Sequence, residues 1–281
     1  MMEHICNPAY GKKAAKAARR KGAFAHFLRA AALLNIGGMA FVIVSLLRKT
    51  TASGLNELFA SADTWVSIQL SLVSVAFSAV LIVLVGTPVA YYLSKTRSRT
   101  IHMLSNFIYL PMVFPPAVTG LALLSAFGRN SFVGHQLEIF NFMLPFSFAG
   151  VVLVQVFVSL PFFVQIVSNG FMTVDSSIDE AARLYGADER QLLTQIYIPM
   201  ARPAIYSGII MSMLRSAGEF GATIMFAGNL AGKTQTVTTR IYSLFQQDIS
   251  QAAALAAVQL FVFILPLFLL KLKFNALERY A

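Results

Sequence analysis

The chain has 281 residues, of which 57% are hydrophobic and only 12% charged, with a mean hydropathy of +0.68. Soluble domains carry about 25% charged residues, so the composition excludes a water-soluble fold and implies a single membrane domain. The 22 Lys and Arg against 12 Asp and Glu fit a basic membrane face rather than nucleic-acid binding, and a single cysteine, Cys6, excludes an intrachain disulfide.

Residues 1–29 form a basic tail containing Lys12, Lys13, Lys16, Arg19, Arg20, Lys21 and Arg29. Such a tail suits anionic lipid, but it is read first as an orientation signal. The apolar run 30–47 is about long enough to span a bilayer. Its charged lead is long and no small-x-small cleavage site follows, so it is expected to remain as a helix. Further apolar runs near 66–93, 101–127, 142–168, 204–228 and 250–270 give an expected all-α fold of six spans across 30–270.

Placing the N-terminus inside puts Lys95, Arg97, Arg99, Arg183, Arg190, Arg202, Lys271, Lys273 and Arg279 on the same side as the tail. Only Arg48, Lys49, Arg129, Lys233 and Arg240 fall outside, and Arg215 lies within a span. This bias predicts a multi-pass protein of the cell membrane, with both termini, the short tail 271–281 and the loop 169–203 in the cytoplasm.

The third span contains Pro111, Pro115 and Pro116, which remove three backbone donors and are expected to open the helix in mid-membrane. Irregular backbone at that depth is tolerated only against protein or a wet cavity. Pro115 and Pro116 are therefore candidates for a broken helix along a translocation path, with a packing kink as the alternative.

The loop 169–203 is the charge-dense part of an apolar chain. Ser177 and Glu180 have capping-box spacing, and Ile178, Ala181, Ala182 and Tyr185 fall on one helical face. Gly186 suits the left-handed residue that stops a helix. Asp188 with Gln191 offers a second box, Leu192, Leu193 and Ile196 a second apolar stripe, and Pro199 the stop. Glu180-Ala181-Ala182, Gly186, Ile196, Ile198 and Pro199, in this spacing, resemble the EAA loop of permease subunits of binding-protein-dependent ABC importers. That family usually has Leu where this chain has Ile198. The resemblance implies that Glu180, Ala181, Ala182, Tyr185, Gly186, Ile196 and Pro199 belong to a coupling helix that docks on an ATPase subunit.

In the fifth span, Arg215 would lie about 16 Å from the helix start and Glu219 about 6 Å deeper, where an unpaired charge costs at least a few kcal/mol. Their i, i+4 spacing permits an internal salt bridge. Intramembrane charges commonly mark pathways, so one or both are expected to face the pore or a partner subunit. Ser212, Ser216, Gly218 and Gly221 offer small faces for close helix contact.

Gly218-Glu219-Phe220-Gly221-Ala222-Thr223-Ile224 is similar to a signature of the molybdate, tungstate and sulfate branch of these permeases. Gly228-Asn229, Gly232 to Thr236 and Ile241-Tyr242 continue the likeness, as does the proline-broken helix. Gly232-Lys233-Thr234 echoes the end of a phosphate loop, but position 227 is Ala where that loop needs Gly, so no nucleotide site is read there.

The resemblance implies half of a homodimeric pore for an oxyanion, with Pro115, Pro116, Arg215, Glu219, Gly221 and Thr223 at the path or gate. It also implies two cytoplasmic ABC ATPases, an external oxyanion-binding protein, and ATP with Mg on the partner rather than on this chain. The chain itself is expected to carry out no covalent chemistry and to hold no cofactor or metal. Molybdate or tungstate is the substrate expected, with a sulfate or thiosulfate permease as the alternative. A secondary anion carrier has no use for an EAA loop, and no clear inverted repeat favours one.

Overall fold

The computed structural model describes residues 8–96, 98–266 and 268–270, with side chains omitted for 8–25 and 102. Cys6 and the tail 271–281 lie outside the described residues. All regular elements among them are helical. The chain divides into two units, Met1–Thr50 and Thr51–Ala281. The first contains one long helix, α1 (Pro8–Lys49), whose apolar part His26–Lys49 is long enough to cross a bilayer.

The second unit runs through α2 (Ala52–Ala60), α3 (Ala62–Lys95), α4 (Arg99–Val113), α5 (Pro116–Phe127), α6 (Phe132–Ile139), α7 (Phe148–Met172) and α8 (Ser176–Leu184). A helical stretch over 189–200 then leads to α9 (Arg202–Ala217), α10 (Gly221–Phe226), α11 (Val237–Phe245) and α12 (Ile249–Leu270). By length and composition α1, α3, α7 and α12 can each cross a bilayer, and α4 with α5, bent by 117°, is either a broken span or a re-entrant loop. The fifth expected span is not one helix. Residues 204–228 divide into α9 and α10 around Gly218, Glu219 and Phe220.

The bend between α4 and α5 follows from proline chemistry. Phe114 precedes Pro115, and Pro115 precedes Pro116, so both are pushed out of the helical region. Phe114 adopts φ −66°, ψ 134° and Pro115 φ −53°, ψ 137°. Pro116 then occupies the first turn of α5, where a missing N–H costs nothing.

The core is a three-helix packing of α3, α7 and α9. α3 reverses the pattern of a soluble helix. Ser67, Ser71, Ser74 and Ser78 are buried, while Phe77, Val80 and Leu84 are exposed. Apolar side chains gain nothing by leaving lipid, so small and polar residues make the helix contacts instead. Gln155 Nε2 of α7 donates to Ser74 Oγ at 3.1 Å, and the hydroxyls of Ser159 on α7 and Ser216 on α9 are 2.8 Å apart. Ser78 Oγ reaches Ser216 at 3.4 Å, and Ser71 Oγ accepts from Val237 N at 2.8 Å.

Beside this polar seam the Phe163 ring is fully buried between two glycines. A Cβ on Gly86 of α3 would lie 2.6 Å from the ring, and one on Gly208 of α9 would lie 3.1 Å from it. The ring has no room to retreat, because each glycine blocks escape from the other. Gly86→Val should therefore destabilise the solubilised protein by about 1–3 kcal/mol, read as a lowered thermal midpoint. Phe163→Leu in the same background should recover part of the loss, and an unchanged midpoint in Gly86→Val would refute this account of the packing.

Candidate functional site

α8 is built from local chemistry. Asp175 caps it by accepting from Ser177 N at 2.9 Å, so the box expected at Ser177 and Glu180 does not form. The helix starts two residues earlier than expected, so the Ser177 N–H that the box would have given to Glu180 is already bonded to the cap residue Asp175. The same hydrogen bond holds the Asp175 carboxyl below its ordinary range. At the other end Gly186 takes φ +85°, Gly186 N donates to Arg183 O and Ala187 N to Ala182 O, both at 3.0 Å. This is a complete Schellman closure, and it needs a left-handed residue.

The second box forms as expected. Asp188 Oδ1 accepts from Gln191 N at 2.7 Å, and Gln191 Oε1 accepts from Asp188 N at 2.9 Å. Pro199 does not stop the following helix. It lies in the first turn of a short segment, Ile198–Met200, after a widened π turn over Leu192–Tyr197, and the break comes at Ala201 (φ −94°, ψ 16°). A proline ring crowds the carbonyl four residues back, and a wider turn relieves that clash.

Of the residues singled out in this loop, Glu180, Ala181, Tyr185 and Gly186 are exposed, and Ala182 and Ile196 pack on the core. Leu184 and Tyr185 stand 88% and 94% exposed at the end of α8. The opposite face of α8 is held by a charged network that sequence reasoning missed. Lys95 Nζ, in the last turn of α3, lies 2.6 Å from Asp179 Oδ1. Arg183 reaches Asp179 at 3.3 Å and Glu189 at 2.6 Å. Tyr91 Oη donates to Glu189 Oε2 at 2.6 Å. Tyr91, Phe171 and Tyr197 pack edge to face, and Lys95 Nζ lies 4.2 Å from the Tyr197 ring centre. The one signal in the sequence was the placement of Lys95 at the end of a long apolar run.

The second group of singled-out residues converges where α5 crosses α10. A Cβ on Gly221 would lie 2.5 Å from Pro116 Cβ, and one on Gly120 would lie 2.6 Å from Met225 Cβ. Pro115 and Pro116 are exposed, and Thr223 is buried with no hydrogen-bond partner for its hydroxyl. The internal salt bridge allowed by the sequence is present, with Arg215 Nη1 2.5 Å from Glu219 Oε2. Glu219 Oε1 also accepts from Ala222 N at 2.9 Å, and Glu219 O accepts from Thr238 Oγ1 at 2.7 Å. Glu219, one residue before the N-cap Phe220, thus satisfies a free N–H in the first turn of α10, which accords with the break there. Its side chain is 2% exposed against 28% for Arg215, so the cation is the partner open to its surroundings.

Burial pushes the Asp179 carboxyl up, but Lys95 and Arg183 together outweigh it and hold it below its ordinary 3.8. The bonds from Tyr91 and Arg183 hold Glu189 below 4.5. Carboxyls depressed in the folded state stabilise it fully above their ordinary values and lose that effect as pH falls through the depressed ones. The thermal midpoint should therefore drop as pH falls below about 4, and Asp179→Asn should flatten that drop. At neutral pH the same substitution should cost on the order of 1 kcal/mol. An identical acid limb in both proteins would count against the network.

A family described as "Binding-protein-dependent transport system inner membrane component" matches residues 83–279. The chain is 36% identical over 219 residues to "Probable transport system permease protein NifC" of Clostridium pasteurianum, covering 78% of this chain and 77% of that protein. It is 36% identical over 224 residues to "Molybdenum transport system permease protein ModB" of Mycobacterium tuberculosis, covering 79% and 85%. Among solved structures, a bacterial ABC transporter involved in the import of the acidic polysaccharide alginate superposes with a TM-score of 0.73 at 15% identity, covering 95% of this chain and 99% of that one. At that identity the likeness is one of fold.

Proposed function

This chain belongs to the family of binding-protein-dependent transport system inner membrane components, and from that premise we propose that it is the permease subunit of an ATP-driven oxyanion importer. Molybdate or tungstate is the substrate, the choice supported by relatives named as molybdenum permeases. Two copies form the pore across the cell membrane, with both termini cytoplasmic. Two ABC ATPases, which hold ATP and Mg, dock on the 169–203 loops, and an external oxyanion-binding protein delivers the substrate.

The observation that carries this reading is the state of α8. It is a helix of nine residues, capped at both ends and tied to α3 on one face, with Leu184 and Tyr185 left 88% and 94% exposed on the other. Such a body transmits a push from a docked partner without unfolding. At the pore, the half-open Arg215 offers N–H donors to a dianion, while buried Glu219 fixes its position. Pro115, Pro116, Gly221 and Thr223 form the crossing that opens or narrows as the helices rock. This chain breaks no covalent bond; it binds, aligns and admits the ion, and hydrolysis belongs to the partner.

The test is uptake of labelled molybdate into vesicles holding this chain, its ATPase and its binding protein, with sulfate as competitor. Uptake should require ATP. Glu180→Arg should lower it about tenfold or more while the subunits still assemble. Gly186→Pro should do the same, because proline fixes φ near about −65° where the chain needs +85°. Equal competition by sulfate would move the substrate to sulfate. Uptake without ATP, or untouched by both substitutions, would sink the proposal.

A further inference from the structure

The proposed coupling element is continuous in sequence with α7 before it and α9 after it, yet the polar side chains outside it that grip its carboxylates come from α3. Two carboxylates, one on each side of the Gly186 turn, are gripped by the last two turns of that helix: Asp179 by Lys95 at 2.6 Å and Glu189 by Tyr91 Oη at 2.6 Å. Arg183 ties the two carboxylates to each other. The Lys95–Asp179 pair is not a loose surface contact. Its side chains are only 25% and 16% exposed, and Lys95 lies over the Tyr197 ring. A cation in the last turn is also favoured by the helix dipole.

The far end of α3 is gripped as well. Arg240 of α11 donates to Ser61 Oγ at 2.8 Å and to Thr64 Oγ1 at 3.2 Å. Ser71 of α3 accepts from Val237 N at the start of α11, and Thr238 beside it donates to Glu219 O. α3, 34 residues long with Pro88 inside it, spans about 50 Å and is fastened at one end to α8 and at the other to the element that contacts the Arg215–Glu219 pair. The route through α9 is softer where it leaves α8, since that path contains the π turn and the break at Ala201.

We propose that α3 receives the movement of the coupling helix and carries it to the far side of the bundle, with Lys95 as the positioning residue that makes the connection. The inference rests on the permease reading above. It assigns Lys95, Tyr91 and Glu189 to transmission, distinct from docking of the ATPase, which uses the exposed face of α8.

The experiment uses the assembled complex in vesicles and reads two quantities: ATPase subunit retained on capture of this chain, and molybdate taken up per ATP hydrolysed. Lys95→Met should keep the retained ATPase within about twofold while lowering uptake per ATP about tenfold, and Lys95→Arg should restore at least about half of it. An unchanged ratio in Lys95→Met, or a Lys95→Arg variant as poor as Lys95→Met, would overturn the proposal. Loss of the ATPase together with uptake would also overturn it, by making the contact one of assembly. Should Lys95→Met fail to insert, Tyr91→Phe decides: it removes one hydroxyl and keeps the aromatic packing, and should lower the ratio about threefold. No change there would refute transmission. Absence of ATP-driven uptake in the wild type would defeat the permease reading and this inference with it, whereas normal wild-type uptake with an indifferent Lys95 defeats this inference alone.

Discussion

Everything in this bundle depends on polar groups finding partners inside the protein, because lipid offers none. The seam of Ser71, Ser74, Ser78, Gln155, Ser159 and Ser216 is that constraint made visible. Each such bond contributes only about 0.6 kcal/mol on average, less than a single buried leucine contributes in water. Their value is in register. A helix that slides by one residue loses its hydroxyl partners and brings a side chain to the place where only Gly86 or Gly208 fits against Phe163. Small residues let the helices approach, and hydroxyls then fix where along their length they meet.

Where chemistry is local, the sequence was readable. Phe114, Pro115 and Pro116 break the third span for a reason contained in three adjacent residues. Gly186 closes α8, and Asp188 with Gln191 opens the next helical stretch, by bonds that reach no more than five residues. Arg215 and Glu219 pair because one helical turn separates them. The helical class followed from the apolar runs along the chain, and the family from short motifs in the 169–203 loop and at Gly218–Ile224.

What stayed hidden depended on distance or on where a helix begins. Ser177 was expected to open α8, but the helix begins earlier, with Asp175 as its cap. Glu219 read as a charge in a continuous helix, but it bonds a free N–H in the first turn of a new one, where residues 204–228 divide. Lys95 with Asp179 and Tyr91 with Glu189 join residues far apart in the chain, and no periodicity records which basic residue at a helix end meets which carboxylate on another. The exposed face of α8 could be anticipated from its motif; the face that holds it could not.

The break before α5 has an electrostatic side. In an unbroken helix the carbonyls of Pro111 and Met112 would accept from the N–H groups of residues 115 and 116, and both of those are proline. Two backbone oxygens thereby lose the donors that a continuous helix would supply. In lipid such oxygens are tolerated only against protein or a wet cavity, so the proline triplet dictates what can lie beside this stretch as well as where the helix bends.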